Sequence, residues 1–139
     1  MPYKLLVVLH IIGAATLAGG HLMFALGIVP RALRAKDADA LRAYSKAFTP
    51  VGHAALLVQI ITGFWLSVPY FKTQGVGIHL VEAKFLVLFL IVAITVHLKV
   101  RVAKNLPDSI GLFAAHVVAN ATLAVVLLVL GAGLRLGGF

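Results

Sequence analysis

Four apolar runs, each long enough to cross a bilayer, take up most of this chain of 139 residues. They cover about 3–29, 48–70, 78–102 and 110–134. A helix needs about 20 apolar residues to span the hydrocarbon core. Four crossings therefore use up the chain and leave only short loops. A soluble bundle would need a polar face on every helix, and a chain that is 62% hydrophobic cannot supply four. The expected fold is all-α: an integral membrane four-helix bundle in one domain, 1–139. Short loops make neighbouring helices antiparallel, so its topology is up-down-up-down. The first run is longer than a secretory h-region and has no small-residue cleavage pattern, so it reads as a retained span.

Pro30 opens a polar stretch, and 32–47 is rich in Ala and Leu, which suits either a helical extension or a short surface helix. Pro50 stands near the start of the second run, where proline is tolerated. The segment 71–77 carries two glycines and reads as a tight loop. Pro107 breaks the third connection, with Asp108 or Ser109 available to cap the last helix.

The net charge of +8 does not point to nucleic acid, because the cations gather in the loops rather than on one face. The first loop holds Arg31, Arg34, Lys36, Arg42 and Lys46, and the third holds Lys99, Arg101 and Lys104, against Lys4, Lys72 and Arg135 on the other side. The positive-inside rule places the first and third loops in the cytoplasm. Both termini are then expected in the periplasm, across a bacterial inner membrane. Tyr3, Trp65, Tyr70 and Phe71 fit an outer interfacial belt. The chain has no cysteine, which excludes disulfides, thiolate metal sites, iron–sulfur clusters and thiol chemistry.

The informative residues are six histidines, His10, His21, His53, His79, His97 and His116, all inside the apolar runs or at their edges. Ionisable groups in lipid usually face a bundle interior or a cavity. A single such histidine is most simply interhelical glue; six are harder to explain that way. By helical rise, His53, His97 and His116 each lie roughly 9–10 Å to the cytoplasmic side of their helix midpoints, with His21 slightly nearer the centre. His10 stands about 10 Å to the outer side, and His79 sits near that interface. His10 and His21 are 11 residues apart, about three turns, so they share a face, as do His79 and His97 five turns apart.

Clustered imidazoles suit haem iron, and bundle interiors are common haem sites. Copper or zinc would accept them too, although Met23 is the only interior methionine. The small surface of Gly13, Ala14, Ala15, Ala18, Gly19 and Gly20 suits both a porphyrin plane and close helix packing. Lys84 reads either as a cation snorkelling to the interface or as the partner of a haem propionate. Glu82 is expected at the interface or in a proton relay, Gln59 as an interhelical hydrogen-bonder, Asn120 as another or as the group that orients His116, and Arg31 as a topology signal within reach of a cytoplasmic-side propionate.

The segments Leu9-His10-Ile11-Ile12-Gly13, Leu17-Ala18-Gly19-Gly20 with Pro30 beyond, Phe48-Thr49-Pro50 and Ile61-Thr62-Gly63-Phe64 resemble the first two helices of the copper-resistance D (CopD) family. The run from His79 through Glu82 and Lys84 to Leu88 resembles a third-helix pattern found there and in HemJ-type protoporphyrinogen oxidases. The HemJ resemblance implies His10 as a haem b ligand and Lys84 as its functional partner. The CopD resemblance implies copper handling. After Gly20 the sequence departs from the HemJ pattern, with His21-Leu22-Met23-Phe24-Ala25-Leu26 in place of an aromatic and charged run. Small di-haem cytochromes b of the superoxide oxidase type are similar in architecture.

These readings combine into an expectation: a haem-b-binding membrane electron-transfer protein, with one or two haems. A cytoplasmic-side haem would take two of His21, His53, His97 and His116. An outer one would take His10, with His79 as a second candidate ligand. Quinol- or porphyrinogen-linked turnover, a periplasmic redox partner and a homo-oligomer are compatible with it. The rivals are a copper-binding or copper-transport protein and a purely structural subunit.

Overall fold

The computed structural model describes residues 3–73 and 77–136. It contains four helical spans long and apolar enough to cross a membrane: Tyr3–Ala35, Ala38–Lys72, Ile78–Asn105 and Ile110–Leu136. No strand occurs among the described residues. The chain is an all-α four-helix membrane bundle.

The first span is α1 (Tyr3–Leu22), a π-helical turn (Met23–Ile28) and α2 (Val29–Ala35) in one run. The cause of the wide turn is Pro30. Proline has no N–H to give, and its ring crowds the carbonyl four residues back, here that of Leu26. A single π turn absorbs this conflict, and the Val29 N–H reaches back five residues to the Phe24 carbonyl.

The polar stretch 32–47 is helix on both sides of a two-residue turn. Lys36 closes α2 in the left-handed conformation, at φ 53°. The Asp37 N–H donates to the Ala32 carbonyl at 2.9 Å, satisfying an end group of the helix. The Asp37 carboxylate then accepts the Ala40 N–H at 2.9 Å, capping α3 (Ala38–Thr73). The second span therefore begins about ten residues before the position expected from hydropathy. At 36 residues α3 is about 54 Å long, well beyond the hydrocarbon thickness. It passes through Pro50 and Pro69 without a break.

Of the expected 71–77 loop, 71–73 remain in α3, and 74–76 lie outside the described residues. The third span is α4 (Ile78–His97) followed by a π turn (Leu98–Val102) and a 3₁₀ turn (Ala103–Asn105). The last is α5 (Ile110–Leu136). Ser109 does not cap it with its side chain; its hydroxyl donates to the Val102 carbonyl at 2.7 Å, tying the connection to the third span.

Around the bundle, α1 packs on α3 and α5, and α5 packs on α4. The fourth seam, between α3 and α4, is sparsely packed. The two ends also differ. At the end bearing Lys36 and Asn105, the basic end, Phe24, Ala25, Val29, Ala32, Leu41, Leu98, Val102, Phe113 and Val117 form a continuous buried core. Phe24 lies 4.4 Å from Tyr44 and 6.0 Å from Phe113, ring centre to ring centre. The Tyr44 hydroxyl donates to the Gly20 carbonyl at 2.8 Å, and Arg42 donates to the Leu106 carbonyl at 2.6 Å. The opposite, open end holds a cavity instead.

The turn at Lys36–Asp37 yields a paired expectation. Asp37→Ala removes the α3 cap and should cost about 1 kcal/mol of stability. Lys36→Gly relieves left-handed strain and should gain of the order of 1 kcal/mol. Reversible unfolding of the purified protein in mixed micelles measures both; a shift of the same sign for the two variants would contradict this turn.

Candidate functional site

The candidate site is built where α1 meets α3. Gly13 makes the close approach possible, since a Cβ there would lie 2.7 Å from the Gln59 side-chain nitrogen and 3.3 Å from the Ala55 carbonyl oxygen. Gln59 in turn donates to the His10 backbone carbonyl. One turn along α3 from Gln59, Gly63 leaves room for the His10 ring, whose Cε1 would stand 3.2 Å from a Cβ at that position.

The protonation pattern of His10 follows from its partner. The His10 Nδ1 lies 2.8 Å from Thr62 Oγ1. Thr62 already donates its single hydroxyl proton to the Val58 carbonyl at 2.5 Å. Its oxygen must therefore accept, so His10 carries its proton on Nδ1. The Nε2 is left as a bare lone pair. His21 repeats the arrangement locally: its Nδ1 is 2.7 Å from the Leu17 carbonyl, which can only accept, and Nε2 is again the unprotonated nitrogen. The edge of Phe48 holds the His21 ring at 5.4 Å between ring centres.

Both histidines line one cavity of about 510 Å³, bounded by α1, α3, α4 and α5. This falls in the range of small-molecule and cofactor sites. Its walls are largely aliphatic, with Ala14, Ala15, Ala18, Gly63, Gly131 and Ala132 supplying flat surface. Lys84 and Arg135 are its two Lys/Arg side chains, and no carboxylate appears among its described lining residues. The Lys84 ammonium rests against the α5 backbone at Gly131, where a Cβ would stand 3.5 Å from it. Arg135 reaches Tyr3 across the open end, Nη1 to hydroxyl 3.4 Å.

The remaining histidines lie elsewhere. His97 and His116 touch each other, with Nδ1 of the first 2.8 Å from Nε2 of the second and ring centres 5.0 Å apart. His116 Nδ1 donates to the Leu112 carbonyl at 2.8 Å. His97 Nδ1–H is then the donor to His116 Nε2, and no gap for a porphyrin plane separates these rings. His53 accepts from the Lys99 ammonium, in the π turn that follows α4, at 2.8 Å. His79 is exposed beside Glu82, at 3.3 Å. His21, His53, His97 and His116, expected at one level, thus do not converge on one point. No group of three or more His, Asp or Glu suited to a metal ion occurs among the described residues.

The expected glue is present. Gln59 bridges α3 to α1, and the Asn120 amide donates to Thr95 of α4 at 3.0 Å. The Asn120 amide oxygen is buried without a partner among the described residues. Thr62, which sets the His10 tautomer, and Arg135, on the cavity rim, were not singled out as site residues from sequence. Thr62 does stand in the Ile61-Thr62-Gly63-Phe64 segment, three residues from Gln59, and that spacing is its signal in the sequence. Comparison of the chain with protein-family models, with curated proteins and with solved structures finds no match.

The tautomers can be tested directly. Nitrogen-15 spectra of histidine-labelled protein should assign Nδ1–H to His10, His21, His97 and His116, the tautomer less favoured in free histidine. Thr62→Val should cost of the order of 1–2 kcal/mol by stranding the His10 donor. An unchanged His10 signal in that variant would contradict the bond.

Proposed function

We propose that this chain is a haem-b-binding membrane redox protein whose open-end cavity would hold the haem, with His10 Nε2 as the nitrogen that would bind its iron. The single observation that carries this reading is the His10 arrangement: an imidazole with its proton committed to Thr62 and its lone pair left on a cofactor-sized apolar cavity. Metal-ligating histidines almost always donate their other ring N–H to a fixed acceptor, which sets tautomer and orientation. The Thr62 hydroxyl fills that role, and Gln59 fixes the backbone of the same residue.

The rest of the lining fits the same group. Small residues on α1 and α5 give flat walls. Lys84 and Arg135 supply the charge that two propionates need in a medium of low dielectric. Bound haem would supply one-electron chemistry between ferric and ferrous iron, its potential set by axial ligation and burial. The protein's part is to ligate through His10, to orient that ring, to pair the anionic groups and to keep water out.

His21 is about 16 Å from His10 along the helix by its rise, too far to ligate the same iron. With His97, His116 and His53 paired to other groups, one haem is proposed rather than two. The excess of Lys and Arg at the Lys36 and Asn105 turns supports a reading with the basic end in the cytoplasm of a bacterial inner membrane. The cavity then lies in the periplasmic half, where a quinol in the bilayer or a periplasmic redox protein is the counterpart.

Absorption spectroscopy of the detergent-purified protein tests this. A Soret band, with α and β bands appearing on dithionite reduction, is the expected result. His10→Ala should remove it, while His97→Ala and His116→Ala should retain it. A colourless protein that takes up copper stoichiometrically would overturn the proposal in favour of copper handling.

A further inference from the structure

The cavity has an asymmetric boundary. On three sides it is closed by packed helix pairs, α1–α3, α1–α5 and α4–α5. On the fourth, α3 and α4 both contribute wall, through Leu56, Ile60 and Leu66 on one side and Phe85, Leu88 and Ile91 on the other, yet the two helices hardly meet. Side-chain contacts fasten the second and third spans at the two ends of this seam. Near the open end, Phe71 and Phe85 stack with ring centres 6.3 Å apart. Toward the basic end, Lys99 donates to His53. Between these two fastenings the seam is aliphatic and faces the space that lipid chains occupy. The Tyr3–Arg135 contact, meanwhile, crosses the end that faces water.

Charge gives the orientation of an occupant. Lys84 is six residues inside α4, about 9 Å from its start, and Arg135 is one residue from the end of α5. Neither is paired with a carboxylate among the described residues, where the ion pairs are Arg42–Asp39 and His79–Glu82. Two uncompensated cations beside an otherwise apolar cavity call for an anion at the open end and hydrocarbon further in.

We infer that the cavity is loaded sideways from the bilayer, through the α3–α4 seam, by an amphiphile with an apolar body and an anionic end that comes to rest on Lys84 and Arg135. This deepens the haem reading, since haem with its two propionates is such an amphiphile, but the route and the charge pairing stand on the seam and the cations themselves. Phe71 and Phe85 act as the outer fastening, and their separation widens the seam while the Lys99–His53 bond holds the other end.

The absence of native cysteine makes the test specific. The full chain carrying Phe71→Cys and Phe85→Cys is placed in phospholipid vesicles, and the pair is joined by a short bifunctional methanethiosulfonate. Haem and, separately, the fluorescent fatty acid cis-parinaric acid are then added. Joining should slow uptake of the bound ligand by about tenfold or more, and reduction of the tether should restore the rate of the unjoined double variant. Lys84→Gln and Arg135→Gln should each weaken retention by about tenfold at equilibrium, the loss of one charge-assisted contact. If the cysteine pair does not fold, Ile60→Trp narrows the same seam and should slow uptake in the same sense. Unchanged uptake in the joined or narrowed protein overturns the lateral route. Tether-sensitive uptake of parinaric acid without haem binding supports the route and removes the haem reading. Failure of the untethered protein to take up either ligand overturns both.

Discussion

The fold depends on how closely α1 can lie against α3. In a bilayer the helices gain little from hydrophobic association, because lipid tails are as apolar as leucine; packing and interhelical hydrogen bonds hold them together. Gly13 and Gly20 make both possible here. At Gly20 a Cβ would run into the Phe48 ring, and the backbone exposed by its absence gives Tyr44 a carbonyl to bond. At Gly13 the missing Cβ lets Gln59 reach the backbone of His10. Substituting either glycine would move α1 outward, and the His10–Thr62 contact would go with it.

From that contact the molecule divides into two halves with different physics. The basic half is packed solid, with Leu41, Phe113 and Val102 fully enclosed. It behaves as a clamp, holding all four spans at one end. The other half keeps polar groups at the edge of a cavity, where each must be satisfied or face a ligand. The Thr62 hydroxyl and the Gln59 amide nitrogen have partners. Lys84 faces a largely apolar space with no carboxylate among the described lining residues, a costly place for a cation.

Hydropathy was enough to read the four spans and their all-α class, because lipid admits so few alternatives for a long apolar run. It placed the start of the second span too late. The stretch 32–47 is polar, and polarity says nothing about whether a helix continues past the membrane surface. The shared face of His10 and His21 was legible from their 11-residue spacing, since rotation within one helix is fixed by its geometry. The convergence of His53, His97 and His116 was not, because matching depth says nothing about which way each helix is turned. His53 looks across the seam to Lys99, while His97 and His116 find each other on α4 and α5. These pairings give His53, His97 and His116 no common point. The hydroxyl of Thr62 decides the chemistry of His10, and it too depends on relative helix rotation.

The wide turn at Met23–Ile28 carries a geometric consequence for everything after it. A π turn takes in one residue more than an α turn of the same height, so the chain beyond it is rotated by about 100° relative to an uninterrupted helix. That rotation aims Val29 and Ala32 into the core and leaves Arg31 and Arg34 on the exposed face. In effect the turn acts as a phase shifter between two incompatible stripes. α1 presents its histidine stripe to the cavity, α2 presents an aliphatic stripe to α5, and one surplus residue lets a single rod do both.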